Sequence, residues 1–468
     1  MTSDDILRGG ARTGTGAVLP VIVLAVFTVP LSVSGTAVSL GDIARDLGSS
    51  SLGEQWALNG FTLTFACSTL VWGSVADVLG RWRSLLAGLV TFGAGSAAGL
   101  AATDYWMLDS ARLLAGAGAG AVFSVGSAML SSVYTGERRT RAFAVLGSVA
   151  GLSLAFGPTL CGVLTQLVGW RLVYATQLCC LAVACAGMPL IRRATAHERR
   201  RAARVDVAGA VLFCAATTLL LGGLALGSAT GWTSSPFLLC TAAGLACYGL
   251  FVRRESTAPD PLLSLRTLRD RRFSALTLVV AVSSFTFTNA VAYLPVFFQG
   301  AYGSSAGASG AFLMFLTLPV LATPLVAGRL VAGGTAVDRI LVASIVLLVA
   351  GLLATGAAAP RGMAWMALPM AVVGIGFGLQ AGLVDGEALA RLPENEAGMA
   401  AGWINTVRLG SEAIGVSLFG SLFATFSGDT THASRPGFAW ITIGSTALAA
   451  AAGAASIPLL RHPRSRSR

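Results

Sequence analysis

The sequence predicts an all-α integral membrane protein with fourteen transmembrane helices, arranged as two six-helix bundles joined by a linker that carries two further helices. Three observations predict it. The 468 residues are 54% apolar and only 11% charged, whereas a soluble chain carries about a quarter charged residues. Mean hydropathy is +0.74, so there is too little polar surface to cover a particle in water. Apolar runs of the roughly 20 residues that cross a bilayer follow one another with short gaps. Lipid leaves no partner for free backbone groups, so spanning runs are helices or closed barrels. Barrel strands alternate apolar and polar residues; these runs do not.

Each span is an apolar stretch that stops where charge or turn residues begin. Span 1, Ala17–Leu40, is long and lacks a small-residue cleavage site, so no cleaved signal peptide is expected. Span 2, Gln55–Ala76, stops before Asp77. Span 3, Ser84–Ala102, starts after Arg83, and span 4, Tyr105–Val133, stops before a Glu-Arg-Arg turn. Span 5 is Phe143–Val168, ended by Gly169-Trp170-Arg171. Span 6, Leu172–Ile191, runs into Arg192–Asp206. Spans 7 and 8, Val207–Ser228 and Phe237–Val252, form a hairpin closed by the second arginine-rich loop, Arg253–Arg272. Spans 9 to 11 are Phe273–Phe298, Ala308–Leu330 and Ile340–Ala357. Spans 12 to 14 are Met363–Val384, Ala400–Thr425 and Phe438–Leu460. The chain thus divides into a six-helix unit (1–191), a linker with two extra spans (192–272) and a second six-helix unit with a basic tail (273–468). No loop is long enough for a soluble domain. A six-plus-six plan is that of transporters built from parallel repeats, with the substrate site between the halves near the midplane.

Arginine placement tests the count. The chain has no lysine. Of its 32 arginines, four (Arg45, Arg171, Arg361, Arg435) fall in outer loops when both termini are placed in the cytoplasm. Two, Arg112 and Arg408, lie within spans, and the remaining 26 are on the inner side, as the positive-inside rule requires. The net charge of +11 is therefore a topology signal and not a nucleic-acid one. The eight cysteines sit inside apolar runs as small core residues. The histidines, His197, His432 and His462, fall in loops or the tail, which argues against an intramembrane histidine relay. No metal cluster, cofactor motif or nucleophile–base pair is present, so no cofactor is expected and the chain reads as no enzyme.

Three motifs carry more. Between spans 2 and 3 stands Gly73-x3-Asp77-x2-Gly80-Arg81-x-Arg83. Its glycines permit a tight turn and close helix approach. Asp77 is suited to a helix N-terminus, and the arginines to carboxylates or lipid phosphates. In span 4, Arg112 precedes Gly116-x-Gly118-x-Gly120. No strand precedes this run, so it reads as helix packing and not as a nucleotide fingerprint. A buried arginine in a membrane span is a functional candidate by default. In span 5 stands Gly151-x5-Gly157-Pro158-x3-Gly162, in which Pro158 removes a backbone donor and bends the helix.

Taken together, these motifs resemble those of the major facilitator superfamily, in its branch of 14-helix drug:proton antiporters. The first looks like the family's signature loop, with Val78 and Trp82 where basic residues are usual. The second resembles the motif whose arginine is linked to proton transfer, with Ala115 in place of glutamine. The third resembles the antiporter motif, with Cys161 in place of a glycine, followed by Trp170-Arg171 as in that branch. Leu318-Pro319, Gly374-Ile-Gly376-Phe-Gly378 and Asn405-Thr-Val-Arg408 extend the resemblance over nearly the whole chain. A faint echo of the signature loop at Gly328-Arg329 supports duplication. The resemblance implies alternating access, an inner gate in which Asp77 caps span 13 in the outward-open state, and a coupling carboxylate in span 1. Ser32 stands at that last position, so the usual acid is absent.

Coupling requires a carboxylate in a low-dielectric cavity, where desolvation lets it hold a proton near neutrality. Glu412 is the replacement. It lies about 12 residues into span 13, roughly 18 Å from the inner end, near the middle of a core about 30 Å thick. Arg408 is one turn earlier on the same face. The pair reads as a switch or as a static neutralised pair. Asp109, three residues before Arg112, is the rival, or forms a solvated ion pair with it. Asp385 and Glu387 read as a hydrated inner loop. Polar or aromatic cavity candidates are Ser32, Asn59, Thr62, Asn289, Tyr293, Gln380 and Asn405, each also able to satisfy a neighbouring helix. Missing the span 1 acid, the cavity is expected to take neutral or anionic amphipathic compounds. The expected function is proton-coupled export of small amphipathic compounds such as antibiotics by a monomer of the inner plasma membrane, with protons, a small-molecule substrate and lipid as its partners. A metabolite facilitator or symporter and a transport-inactive sensor are the alternatives.

Overall fold

A computed structural model of the chain describes residues 15–48, 51–192, 205–304, 306–393 and 396–427, with residues 442, 446, 450, 451 and 453. Every regular element among the described residues is helical. Spans 1 to 6 are Thr15–Leu47, Ser51–Leu79, Arg81–Leu100, Tyr105–Val133, Gly136–Val168 and Arg171–Ile191. Spans 7 and 8 are Val207–Thr230 and Ser235–Thr257, followed by a short connector, Leu265–Arg269. Spans 9 to 11 are Arg271–Tyr302, Ala306–Ala332 and Val337–Ala358. Span 12 begins as Met363–Gln380, and span 13 is Ala397–Ser427. Span 14 and the basic tail lie largely outside the described residues; Thr442, Thr446, Ala450, Ala451 and Gly453 are helical.

Several helices outrun the apolar stretches that announced them. Span 1 has 33 residues, about 50 Å at 1.5 Å per residue, because helical hydrogen bonding continues past the hydrocarbon edge. Ten described helices are long and apolar enough to cross a membrane, and the bent halves of span 5 make eleven. Spans 3 and 13 are helical but fall outside that set. Gly, Ser and Ala dominate span 3, and Asn405, Arg408 and Glu412 interrupt span 13. Among the described residues, which leave out most of span 14, length and apolarity alone thus do not reach the predicted fourteen crossings.

Proline and glycine shape the spans as their chemistry requires. Span 5 bends by 44° between Gly136–Leu154 and Phe156–Val168, where the ring of Pro158 meets the carbonyl of the residue four earlier. Span 12 breaks outright: a helix ends at Gln380 and a second, Leu383–Leu389, follows. Gly382 turns the chain with φ +75°, a conformation that other residues adopt only at a cost. The expected single helix Met363–Val384 is therefore two segments. The glycines of span 4 make it the centre of a sandwich. A Cβ at Gly116 would stand 2.2 Å from the Phe61 carbonyl oxygen of span 2. One at Gly118 would stand 2.3 Å from the Phe92 nitrogen of span 3. Span 12 repeats the arrangement: a Cβ at Gly374 would meet the Leu316 oxygen of span 10 at 2.1 Å, and one at Gly376 the Leu348 nitrogen of span 11 at 2.7 Å.

The two halves touch toward the arginine-rich end. Thr69 and Thr406 share a hydroxyl hydrogen bond of 2.9 Å. A Cβ at Gly402 would stand 2.6 Å from Leu70 Cα, and one at Gly151 2.9 Å from a Val320 methyl. At the opposite end each half keeps its own apolar cluster. Ile43, Ala57, Leu108, Trp170 and Tyr174 form one; Phe297, Phe298, Leu352, Met366 and Phe419 belong to the other. The hairpin of spans 7 and 8 lies against both halves: Phe213 and Phe251 pack with Leu70 of span 2 and Met399 of span 13.

Candidate transport site

The signature loop forms the contact between the halves. An α-helix leaves its first N–H groups without intrahelical partners. At the start of span 13 the Asp77 carboxylate accepts from the Gly398 and Met399 amides at 3.0 and 2.9 Å. The helix N-terminus favours that negative charge. Arg81 stands 3.9 Å from Asp77, and both are buried. Gly73 has to be glycine, since a Cβ there would lie 2.1 Å from the Gly398 carbonyl oxygen. Gly80 has φ +95° and turns the chain into span 3. Arg83 is exposed, so it faces outward at this end and takes no part in the buried contact. The expected capping of span 13 by Asp77 is present in the structure.

The Gly151–Gly162 motif of span 5 faces two neighbours. A Cβ at Gly157 would stand 2.5 Å from Ser34 Oγ of span 1, and one at Gly162 3.5 Å from a Val38 methyl. Gly151 faces Val320 across the bundles. At the far end, Trp170 donates its ring N–H to Asp46 at 3.0 Å, Arg171 pairs with the same carboxylate, and Arg171 reaches the Ala102 carbonyl at 2.8 Å. Spans 1, 3 and 6 are thereby clasped together.

Arg112 is fully buried. Its Nε donates to the Ala57 carbonyl at 2.8 Å and its Nη1 to Ser32 Oγ at 2.7 Å. The guanidinium carbon lies 4.5 Å over the Phe61 ring, an attraction worth about 2 kcal/mol when desolvated. Nη2 has no partner. Ser32 therefore does face the arginine, at the position where an acid was expected, and supplies a dipole in place of a charge. Asp109 does not form the direct ion pair considered for it; its Oδ1 is buried without a hydrogen bond. The guanidinium turns across to spans 1 and 2 because three acceptors converge there.

Span 13 brings the larger correction. Arg408 does not pair with Glu412. Its Nη2 donates to both oxygens of Asp385 at 2.9 Å, and its Nη1 donates to Asn405 Oδ1. Asp385 does not lie in the hydrated loop that its place in the sequence suggests: its side chain is 14% exposed and sits in the segment after the span 12 break. Glu387 belongs to a second cluster, 2.8 Å from Arg391 and 3.4 Å from Arg272, which also pairs with Asp338 at 2.6 Å. Glu412 is half-buried and has neither a hydrogen bond nor an ion pair among the described residues. No helical period in the sequence points to Asp385. The available signal was Gly382 three residues before it, marking a turn where hydropathy continued.

The remaining cavity candidates separate. Asn405 is committed, its Nδ2 donating to the Ala401 carbonyl at 2.9 Å and its Oδ1 accepting from Arg408. Tyr293 donates to the Val416 carbonyl at 2.7 Å, with its ring 4.9 Å from Phe419. Gln380 is buried at the break, Thr62 is half-buried and Asn59 is exposed. Asn289 lines a small cavity of about 20 Å³, room for one water molecule, between spans 9, 11, 13 and 14, with Phe285, Phe419 and four threonines. Both ends of its amide are buried without a hydrogen-bond partner among the described residues.

Residues 22–416 match the family described as Major Facilitator Superfamily. The tetracenomycin C resistance and export protein of Streptomyces glaucescens is 28% identical over 433 residues, 90% of this chain and 78% of that protein. The puromycin resistance protein pur8 of Streptomyces alboniger is 29% identical over 412 residues, 86% and 81% respectively. The probable actinorhodin transporter of Streptomyces coelicolor is 29% identical over 406 residues, 84% and 69%. Among solved structures, the human organic anion transporter MFSD10 aligns with a TM-score of 0.66 at 14% identity, over 93% of this chain and 99% of that one. The proton:xylose symporter XylE aligns at 0.62 and 13% identity, over 93% and 94%. At those identities the likeness is one of fold.

Proposed function

Because the chain belongs to the major facilitator superfamily, and is thus a multi-pass membrane transporter of small molecules, we propose that it exports amphipathic antibiotic-like compounds in exchange for protons. One observation carries the proton side of this reading: Glu412, 15 residues into span 13, has neither a direct ion pair nor a hydrogen bond among the described residues. That depth is about 22 Å along the helix, inside a hydrocarbon core of about 30 Å. Ionisable groups at such depth mark ion or substrate pathways. The relatives named for resistance to or export of antibiotics support the substrate side. The arginine-rich end is cytoplasmic by the positive-inside rule, so the closed contact around Asp77 is the inner gate and the protein faces outward. Both termini are then cytoplasmic, in the plasma membrane, and the working unit is a monomer.

The electrostatics favour a neutral or anionic cargo. Arg112 has Ser32 where a carboxylate would neutralise it, so the N-terminal half offers a fixed positive charge. The lining around Asn289 combines aromatic faces with an uncharged donor–acceptor pair, chemistry that suits an apolar ligand with few polar anchors once the halves part and the space between spans 9, 11, 13 and 14 widens. Everted vesicles with an acidic lumen test the reading. They are expected to accumulate at least one of puromycin, tetracenomycin C and actinorhodin, and to lose that accumulation when a protonophore collapses the gradient. Accumulation undiminished by the protonophore would remove proton antiport from the account.

A further inference from the structure

We infer that Arg408 exchanges carboxylate partners during transport, held by Asp385 while the inner gate is closed and by Glu412 once it opens, so that Asp385 is the positioning residue that decides when Glu412 can carry a proton. The inference rests on Glu412 as the proton site and adds the residue that controls it.

Three observations place Arg408 between two carboxylates. It donates to both oxygens of Asp385 at 2.9 Å. Asn405 fixes its direction: with Nδ2 on the Ala401 carbonyl, the amide oxygen is the end turned to the guanidinium, drawing it toward the gate. Glu412 lies one turn farther on the same face, at the i+4 spacing that lets side chains meet. Among the described residues no second cation is in contact with it. Spans 2, 4, 7 and 9, which pack on span 13, carry Asp77, Arg112 and Tyr293 as their engaged groups. Asp77 accepts from Gly398 and Met399, Arg112 donates to Ala57 and Ser32, and Tyr293 donates to Val416. Cys67 and Cys214 face each other between spans 2 and 7, and Asp109 stays with span 4. Arg408 is the charged group whose field reaches Glu412.

The position of Asp385 depends on the gate. Its segment, Leu383–Leu389, hangs from the break at Gly382, and that break is wedged on span 5 of the other half. A Cβ at Gly382 would stand 2.1 Å from the Phe143 carbonyl oxygen, one at Gly147 2.8 Å from the Ala381 oxygen, and one at Gly386 3.3 Å from the Phe143 ring. When the halves part at this end those contacts go, and the segment that presents Asp385 goes with them. Arg408 then turns to Glu412. The Glu412 O–H bond breaks, the proton passes to water in the inward-open cavity, and the guanidinium, charged throughout, pairs with the carboxylate. On return to the outward-facing state, Asp385 takes Arg408 back and Glu412 is free to bind a proton from outside. Inward movement of the proton is thereby tied to the step that resets the carrier.

Carbodiimide labelling of Glu412 in membranes, read by mass spectrometry, tests the exchange, because a carboxyl group paired with arginine resists the reagent. Wild type is expected to label. Asp385→Asn hands Arg408 permanently to Glu412 and is expected to label at least fivefold less and to move at least tenfold fewer protons per substrate, while Asp385→Glu behaves as wild type. Wild-type labelling and proton movement in Asp385→Asn would overturn the exchange and leave Asp385 a structural latch. If Asp385→Asn does not accumulate, Arg408→Gln decides: labelling at the wild-type level with proton movement lost supports the exchange, and proton movement retained overturns it. Glu412→Gln separates the two ideas, since proton movement surviving in that variant removes the proton site itself.

Discussion

Arg112 and Ser32 show how one side chain changes the chemistry of an otherwise familiar arrangement. A buried guanidinium remains charged, and isolating a charge in low dielectric is costly unless it is paired or hydrogen-bonded. Here the compensation is dipolar: the Ala57 carbonyl, the Ser32 hydroxyl and carbonyl, and the Phe61 ring. Ser32→Ala removes the shortest of these bonds. It is expected to destabilise the protein by about 1.5–3 kcal/mol, the range for a hydrogen bond to a charged group. Urea unfolding in mixed micelles measures it, and an unchanged midpoint would show that the serine does not support the arginine. That Asp77 suits a helix N-terminus was legible in its residue type; that the helix is span 13 followed from the family resemblance. The partner of Arg408 was not legible. A period of 3.6 displays neighbours within one helix, such as Glu412, whereas Asp385 is brought in by tertiary packing 23 residues away.

At the scale of the element, hydropathy located the spans but not their ends or their interruptions. Spans 1, 5, 9 and 13 extend by several residues at one or both ends, since polar residues outside the hydrocarbon continue a helix without cost. The break in span 12 escaped for a related reason: Leu379 to Val384 is apolar but for Gln380, and Gly382 marks the turn. Pro158 and the 44° bend of span 5 were legible, because a missing N–H acts locally. Gly382 also gives the element its sharpest test. Alanine there meets both a left-handed backbone, costing about 1–2 kcal/mol, and the Phe143 oxygen at 2.1 Å. Gly382→Ala is expected to keep wild-type amounts in the membrane while transport falls at least tenfold, as measured by vesicle uptake. Full transport would mean that the break does not bear on gate closure.

For the whole molecule, the packing of spans 4 and 12 describes two units built alike. In each, a Gly-x-Gly-x-Gly helix is pressed between two partners. Close packing of this kind makes each half stiff, so movement concentrates where the halves meet: Asp77 on span 13, Thr69 on Thr406, and the span 12 break on span 5. The hairpin of spans 7 and 8 rests on both sides of that junction. In the proposed function, Glu412, which has no direct ion pair or hydrogen bond among the described residues and stands beside an arginine held by another acid, connects movement of the halves to a proton. Proton release on ligand binding tests this most directly. Purified protein in weakly buffered detergent is mixed with puromycin or tetracenomycin C, whichever it binds, and a pH indicator reads the change. The account predicts about one proton released per bound ligand in wild type and none in Glu412→Gln; equal release from the two proteins would contradict it.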